Sequence, residues 1–139
     1  MSPNPAIALG RLDHVGIAVH DADAAIPYYR DVLGLALVGD EIASAPGARL
    51  VYFDAGNAFV QLVQPVRDDA PVARWLATHP EGLHHVCFRS DDLRQCERQL
   101  NGGAASAIFR AGRGDDAFFL DDEPNNVKVE IVGPPAVTD

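Results

Sequence analysis

The feature that most constrains this chain is a short sequence segment that occurs twice. The run Leu12-Asp13-His14-Val15-Gly16-Ile17-Ala18-Val19 is echoed by Leu83-His84-His85-Val86-Cys87-Phe88-Arg89-Ser90, with a histidine at the third position of each. A second match follows, between Gln61-Leu62-Val63-Gln64-Pro65 and Glu130-Ile131-Val132-Gly133-Pro134. The chain is therefore predicted to contain two copies of one unit, each with a candidate ligand near its start and another near its end.

Turn and helix signals predict the order β-α-β-β-β for the first unit. Alternation in residues 11–19 predicts a strand with His14 and two small residues on one face. The branched apolar residues on the other face should pack on a helix, and the small residues leave space that suits a ligand. Asp21 or Asp23 is expected to cap the following helix, and Gly34 to end it. Three short strands complete the unit, at residues 35–42, 48–54 and 58–64.

The second unit repeats this order after a joining segment. Residues 66–81 form the joint, with a helix whose first turn contains Pro71. The second unit then has a strand at 83–89, a helix from about 92 to 100, and strands near 105–110, 116–121 and 127–132. The predicted fold class is α+β, with two tandem βαβββ units. We expect one domain over residues 1–139, with unit one at about 11–65, a linker helix at 66–81 and unit two at about 82–134.

Composition excludes several classes of partner. The chain has 139 residues and a net charge of −9, which argues against nucleic acid and anionic membrane surfaces. No apolar run approaches the roughly 20 residues that a bilayer span requires. The two cysteines do not have the CxxC spacing of a metal site, and no signal peptide is visible. We therefore expect a cytoplasmic protein that binds a small molecule.

Four polar residues occupy the matched positions and are candidate metal ligands. Units related by a pseudo-twofold axis would bring His14, Gln61, His85 and Glu130 to one central cleft. Imidazole and carboxylate suit Zn, Fe(II), Mn, Co or Ni, and an amide oxygen is a weaker neutral ligand. The alternative is that each histidine is an ordinary strand residue with its hydrogen bonds satisfied. The repeat supports metal binding, as does the carboxylate of Glu130, which needs a partner within its apolar strand, but the spacing alone leaves both interpretations open.

Other polar residues near the second histidine have simpler interpretations. His84 should point away from its neighbour His85 and is interpreted as a packing or supporting residue. Cys87 shares the face of His85 but has no distinct base beside it, so it is interpreted as part of a pocket wall. Arg89 and Lys128 either reach solvent at strand ends or clamp an anionic group of a substrate.

Several motifs resemble the vicinal oxygen chelate superfamily, which contains glyoxalase I, extradiol dioxygenases and bleomycin-binding proteins. The resemblance rests on residues 13–19, on Tyr28-Tyr29-Arg30-Asp31-Val32-Leu33-Gly34-Leu35 and on Glu81-Gly82-Leu83-His84-His85-Val86. Within the superfamily the likeness is greatest to methylmalonyl-CoA epimerase, through these motifs together with residues 61–65 and 70–76. It covers about residues 11–134.

The resemblance implies a cupped, barrel-like mixed sheet with helices outside, built around a divalent metal ion. The ligands that it implies are again His14, Gln61, His85 and Glu130. In this superfamily the metal chelates two substrate oxygens and stabilises an enediolate. For an epimerase the reaction is proton transfer α to a thioester carbonyl, for which a carboxylate base must reach that carbon. Related units often pair between chains, so a homodimer is implied as well.

The sequence departs from the epimerase pattern at the base. The resemblance implies a glutamate just before the glycine of the turn between the second and third strands, where this chain has Ser44 and Ala45. Glu41 is nearby but is expected to lie too early. The opposing segment of the second unit lacks an expected histidine and offers Asp115 and Asp116, beside two arginines that could receive an acidic group.

Three functions therefore remain open. The first is a metal-dependent epimerase or isomerase acting on an acyl-CoA-like or 2-oxo substrate, with Glu130, Asp115 or Asp116 as the base. The second is a glyoxalase I-type lyase or a related dioxygenase in which Glu130 is both ligand and base. The third is a non-catalytic, resistance-type protein that binds a small molecule.

Overall fold

The computed structural model describes residues 9–102 and 105–135, and its elements follow the predicted order twice. In the first repeat, strand β1 (Leu12–Ala18) leads to helix α1 (Ala22–Pro27), a one-turn π-helix (Tyr28–Val32), and strands β2 (Ala36–Ala43), β3 (Ala48–Asp54) and β4 (Phe59–Pro65). Helix α2 (Pro71–Thr78) follows as the predicted joint. The second repeat comprises β5 (Gly82–Arg89), α3 (Leu93–Leu100), β6 (Phe109–Arg110), β7 (Asp116–Phe119) and β8 (Lys128–Gly133), with short 3₁₀ turns at Gly112–Gly114 and Pro124–Asn126. This order confirms the α+β class with two βαβββ repeats.

The chain divides into two compact units, which do not coincide with the two repeats. One unit is residues 14–85, and the other joins the residues up to Asp13 to those from Val86 onward. In the first, hydrogen-bonded strands follow the order β2-β3-β4-β1, and in the second the order β5-β8-β7-β6. The single-domain assignment with its boundaries stays a prediction.

Strand alternation in the unit 14–85 separates two faces of its sheet. Val19 packs with Ala22 and Ile26 of α1, together with buried residues of β3 and β4. This confirms that the branched face of β1 packs on a helix. The opposite face carries Ala18 and, beyond it, an apolar cluster that includes residues of α2. The side chain of Asp21 caps α1 by accepting a hydrogen bond from the backbone N–H of Asp23.

The register of the strands fixes which side chains share the face turned away from α1. His14 pairs with Phe59 and Gly16 with Gln61 in the parallel β1–β4 ladder. Tyr52 of β3 lies directly opposite Gln61 in the antiparallel ladder. Directly opposite residues project to the same face of a sheet. His14, Gln61 and Tyr52 therefore share one face, and the order of the strands brings them side by side.

The other unit has the same arrangement around α3. Phe118 pairs with Ile131, and both pack with Leu93 and Cys96 of α3. Glu130 pairs with Phe119, one position along, and therefore projects to the face turned away from α3.

One strand prediction in this unit is wrong in extent. Residues 105–110 were expected to form a strand, but only Phe109 and Arg110 do so. Ser106 Oγ and the backbone N–H of Ala107 instead donate hydrogen bonds of 2.7 Å to the carboxylate of Glu97 on α3. These bonds hold the segment against the helix. Within the described residues no helix is long and apolar enough to cross a membrane.

Candidate metal centre

His14 and His85 meet in the interior of the unit 14–85. Their Nε2 atoms are 3.0 Å apart, and their ring planes are almost perpendicular, at 85°. Both side chains are buried. The structure thus brings together two of the four predicted ligands, with the nitrogen atoms that can bind a metal facing each other.

Gly16 provides the room for this contact. A Cβ atom on Gly16 would lie 2.1 Å from Cε1 of His85 and 2.5 Å from both ring nitrogens. Gly16 does not have a positive φ, so it is required for its missing side chain and not for its backbone conformation. The sequence predicted that the small residues of β1 leave space for a ligand. This is corrected by the structure, because the ring of His85 fills the space over Gly16 and Ala18 belongs to an apolar cluster.

Gln61, the third predicted ligand, presents an oxygen with no hydrogen bond. Its Nε2 donates to the hydroxyl oxygen of Tyr52 at 3.0 Å. Its Oε1 is buried and has no hydrogen-bond partner among the residues that the structure describes. Leaving a buried acceptor unsatisfied costs about 1–3 kcal/mol. A cation at this oxygen would remove that cost.

His84 contacts His85, so the prediction that it points away from this neighbour is wrong. The Nδ1 atoms of the two rings are 2.9 Å apart, and Trp75 of α2 contacts the edge of His84, with ring centroids 5.0 Å apart. Histidines that bind metal through Nε2 characteristically donate Nδ1–H to a fixed acceptor, which sets the tautomer. His84 is in a position to be that acceptor, in agreement with its interpretation as a supporting residue.

Glu130, the fourth predicted ligand, lies in the other unit and is buried there. Burial raises the pKa of the neighbouring Cys87 thiol, and the charges of Glu130 and Asp13 raise it further. The thiolate is the nucleophilic form of cysteine, so a raised pKa makes this side chain unreactive. Cys87 is buried in an apolar cluster with Ala117 and Val132, and its place in a pocket wall stays a prediction.

The predicted anion clamp is engaged by the protein's own carboxylates. Asp13 is fully buried and lies between two arginines. Nη1 of Arg89 is 3.1 Å from Oδ1 of Asp13, and Nη2 of Arg113 contacts Oδ2 of Asp13. Lys128 pairs with Glu123 at 2.7 Å. Sequence reasoning missed this use of Asp13. Its only signal was a charged residue beside an apolar strand.

The two aspartates considered as alternative bases are also held by arginines. Asp115 lies 3.2 Å from Nη1 of Arg89, and the buried Asp116 lies 2.6 Å from Nε of Arg110. Each ion pair engages one oxygen of the aspartate and constrains the orientation of its carboxylate group. This disfavours both aspartates as bases.

The turn between β2 and β3 contains no acid and is braced from outside. The guanidinium group of Arg67 donates to the carbonyl oxygen of Ser44 at 2.6 Å and to that of Ala45 at 3.4 Å. This group lies so close to Gly47 that a Cβ atom on Gly47 would be 2.6 Å from Cζ of Arg67. Gly47 also has a φ of +69°, so both the space and the backbone conformation favour glycine. Glu41, on β2, pairs with Leu50. It therefore projects to the same face of the sheet as Tyr52 and Gln61.

Comparison with known proteins agrees with this fold. Residues 13–119 match the family described as "Glyoxalase/Bleomycin resistance protein/Dioxygenase superfamily". The uncharacterized protein YqjC of Bacillus subtilis is 33% identical over 131 residues, which are 91% of this chain and 94% of that protein. Mouse mitochondrial methylmalonyl-CoA epimerase is 37% identical over 93 residues, which are 65% of this chain and 51% of the relative. The chain thus spans about half the length of that relative.

A solved structure extends the likeness to nearly the whole chain. A variant of Streptomyces coelicolor methylmalonyl-CoA epimerase, in complex with 2-nitronate-propionyl-CoA, is similar with a TM-score of 0.82 and 31% identity. The match covers 95% of this chain and 99% of that one. The predicted vicinal oxygen chelate fold is therefore confirmed, and so is the likeness to the epimerases. The chain belongs to the glyoxalase/bleomycin resistance protein/dioxygenase superfamily.

Proposed function

We propose that the chain is a metal-dependent enzyme that transfers a proton at the carbon next to a thioester carbonyl, as a methylmalonyl-CoA epimerase-like isomerase. Relatives and structural neighbours with that activity support the reaction class. The observation that carries the metal dependence is the buried, unbonded Oε1 of Gln61 at a predicted ligand position. In this proposal His14, Gln61, His85 and Glu130 hold one divalent ion.

The contact between the two histidines supports the same metal. Two nitrogen ligands with bonds of about 2.1 Å lie about 3.0 Å apart at the right angle of octahedral coordination, and about 3.4 Å apart in the tetrahedral coordination usual for Zn. The Nε2 atoms of His14 and His85 are separated by 3.0 Å. A set of two imidazoles, one amide oxygen and one carboxylate suits Zn, Co, Ni, Mn or Fe(II). When bound, such an ion would act as a Lewis acid on the carbonyl oxygen beside the reacting carbon.

Glu130 is the proposed base as well as a ligand. Ser44 and Ala45 have no acidic group, and Asp115 and Asp116 are held by arginines. Glu41 is the second carboxylate to test, since it projects to the face that carries Gln61.

The test is isotope exchange in D₂O with methylmalonyl-CoA and protein reloaded with Co²⁺, Ni²⁺ or Zn²⁺. We expect deuterium at the α-carbon with the wild-type protein and none with Glu130→Gln. Glu123→Gln, which changes a surface carboxylate, is the matched control and should exchange normally. Loss of exchange in Glu41→Gln but not in Glu130→Gln would move the base to Glu41. If reloaded wild-type protein gives no exchange, the epimerase proposal is refuted.

A second candidate is favoured by the turn at residues 44–47. Because this turn has no acid and is braced by Arg67, the chain is also consistent with a glyoxalase I-type lyase in which Glu130 alone moves the proton. That enzyme would turn over the hemithioacetal of glutathione with the same metal-loaded protein. A small-molecule binding protein would give neither reaction and would keep its ligand affinity in His14→Ala. The homodimer and the cytoplasmic location remain predictions.

A further inference from the structure

The hydroxyl of Tyr52 engages the nitrogen end of the Gln61 amide, which leaves the oxygen end for a metal ion. The two residues lie directly opposite each other on β3 and β4. The hydroxyl oxygen of Tyr52 accepts a hydrogen bond from Nε2 of Gln61 at 3.0 Å. Both side chains are buried, so the amide group has little water to exchange with.

The orientation of the amide matters because its two ends differ chemically. Oxygen has lone pairs that can bind a cation, whereas the NH₂ group offers only donors. With Nε2 engaged by Tyr52, the opposite end of the amide is the oxygen, and Oε1 is the atom that has no hydrogen-bond partner among the described residues. Without the tyrosine hydroxyl, either end of the amide could face the ion.

Neighbouring residues fix the ring of Tyr52. It meets the edge of His14, with centroids 6.1 Å apart at 88°, and that of Phe59, at 6.3 Å and 84°. Gly39 lies opposite on β2, where a Cβ would be 3.3 Å from Cδ2 of the ring. Tyr52 thus contacts two of the proposed ligands at once, His14 through its ring and Gln61 through its hydroxyl.

We propose that Tyr52 is a positioning residue that holds Gln61 with its amide oxygen toward the divalent ion. The inference rests on the proposed function, since it requires the metal site. The competing explanation is that Tyr52 is an ordinary core tyrosine whose hydroxyl has found a convenient partner. In that case its hydroxyl contributes to folding but has no specific influence on metal binding.

The test compares Tyr52→Phe with a matched variant on the other face of the same sheet. Tyr29→Phe makes the same chemical change where the ring packs on Phe53, with centroids 5.6 Å apart, in the cluster that contains α1. Co²⁺ affinity is measured by competition with a chromogenic chelator, and the coordination of the ion by visible absorption. Thermal melts of the metal-free proteins report folding separately.

We expect Tyr52→Phe to bind Co²⁺ about 10- to 100-fold more weakly, the usual effect of removing a residue that orients a metal ligand. Its Co²⁺ spectrum should change because an oxygen ligand is lost or exchanged for water. Tyr29→Phe should match the wild type in both measurements. In a Gln61→Glu background, both ends of the side chain are oxygen, so adding Tyr52→Phe should weaken binding much less.

The outcomes separate this inference from the metal site itself. If reloaded wild-type protein does not bind Co²⁺, the proposed function fails and this inference fails with it. If the wild type binds and Tyr52→Phe has the same affinity and spectrum, only the role of Tyr52 is overturned. An equal loss in Tyr29→Phe, or an equal effect of Tyr52→Phe in the Gln61→Glu background, would also overturn it.

Discussion

Replacing Gly16 with alanine tests the contact on which the predicted centre depends. The added Cβ would lie 2.1 Å from Cε1 of His85, far inside the 3.5–4.0 Å at which carbon atoms attract each other. Because Gly16 does not have a positive φ, alanine causes no backbone strain there. The whole effect of the substitution should therefore come from the displaced imidazole.

The size of the effect follows from how far the ring must move. Relief of the overlap requires a shift of roughly 1 Å or more. Overpacking of this kind costs about 1–3 kcal/mol. For a chain of this length, such a loss of stability lowers Tm by about 4–12 °C. Since His85 would no longer face His14, metal affinity should fall as well.

A double-mutant cycle isolates the contact. Thermal and urea unfolding are measured for Gly16→Ala, His85→Ala and the double variant. Once the ring is removed, the added methyl group has nothing to displace, so Gly16→Ala should then cost less than about 0.5 kcal/mol. Gly34→Ala is the control, because Gly34 has a φ of +74° and an added Cβ there would have no described atom within 4 Å. Its cost should be the same with and without His85. An equal cost of Gly16→Ala with and without His85 would show that the cost does not come from contact with the imidazole ring.

Three further predictions concern the other unit. Asp13→Asn should destabilise the protein by about 1.5–3 kcal/mol in urea unfolding, because it removes the buried charge shared by Arg89 and Arg113; a loss below about 1 kcal/mol would contradict this. Glu97→Gln should speed hydrogen exchange of the loop amide that its carboxylate binds, while exchange in the α3 interior stays unchanged. Burial raises the pKa of Cys96. Its neutral thiol therefore adds to the free energy of unfolding below the unfolded-state pKa of about 8.5, and this contribution is lost as the pH rises through the folded-state pKa. Iodoacetamide at about pH 8.5 should therefore label Cys96 in urea and not in the folded protein.

Strand alternation made the positions of the candidate ligands predictable. A period of two places His14, Gly16 and Ala18 on one face of β1 whatever the remainder of the chain does. The same rule, applied to β4 and β8, turns Gln61 and Glu130 away from their helices. Helix ends were predictable for a similar reason, since the Asp21 cap and the Gly34 end depend on residues a few positions away.

Contacts between residues distant in sequence could not be predicted in this way. The ring of His85 lies over Gly16 because two strands far apart in the chain are brought together, and local periodicity has no information about that distance. Glu97 holds the segment at Ser106, so a run that resembles a strand forms only two residues of ladder. Arg67 braces a turn more than twenty residues away. In the cases of Glu97 and Arg67, a long polar side chain forms hydrogen bonds with groups outside its own secondary-structure element.

The proposed metal ligands and the turn between β2 and β3 are under different physical constraints. His14, Gln61 and His85 are buried in strands and contact Gly16, Tyr52 or one another, so a substitution at any of them disturbs packing. Ser44 and Ala45 are exposed in a turn, where a change of side chain typically alters stability by less than about 0.5 kcal/mol. A chain of this fold can therefore lose or gain an acid at the turn without disturbing the buried residues proposed as metal ligands. It follows that metal binding alone does not identify the reaction, and that the position of the proton-accepting carboxylate does.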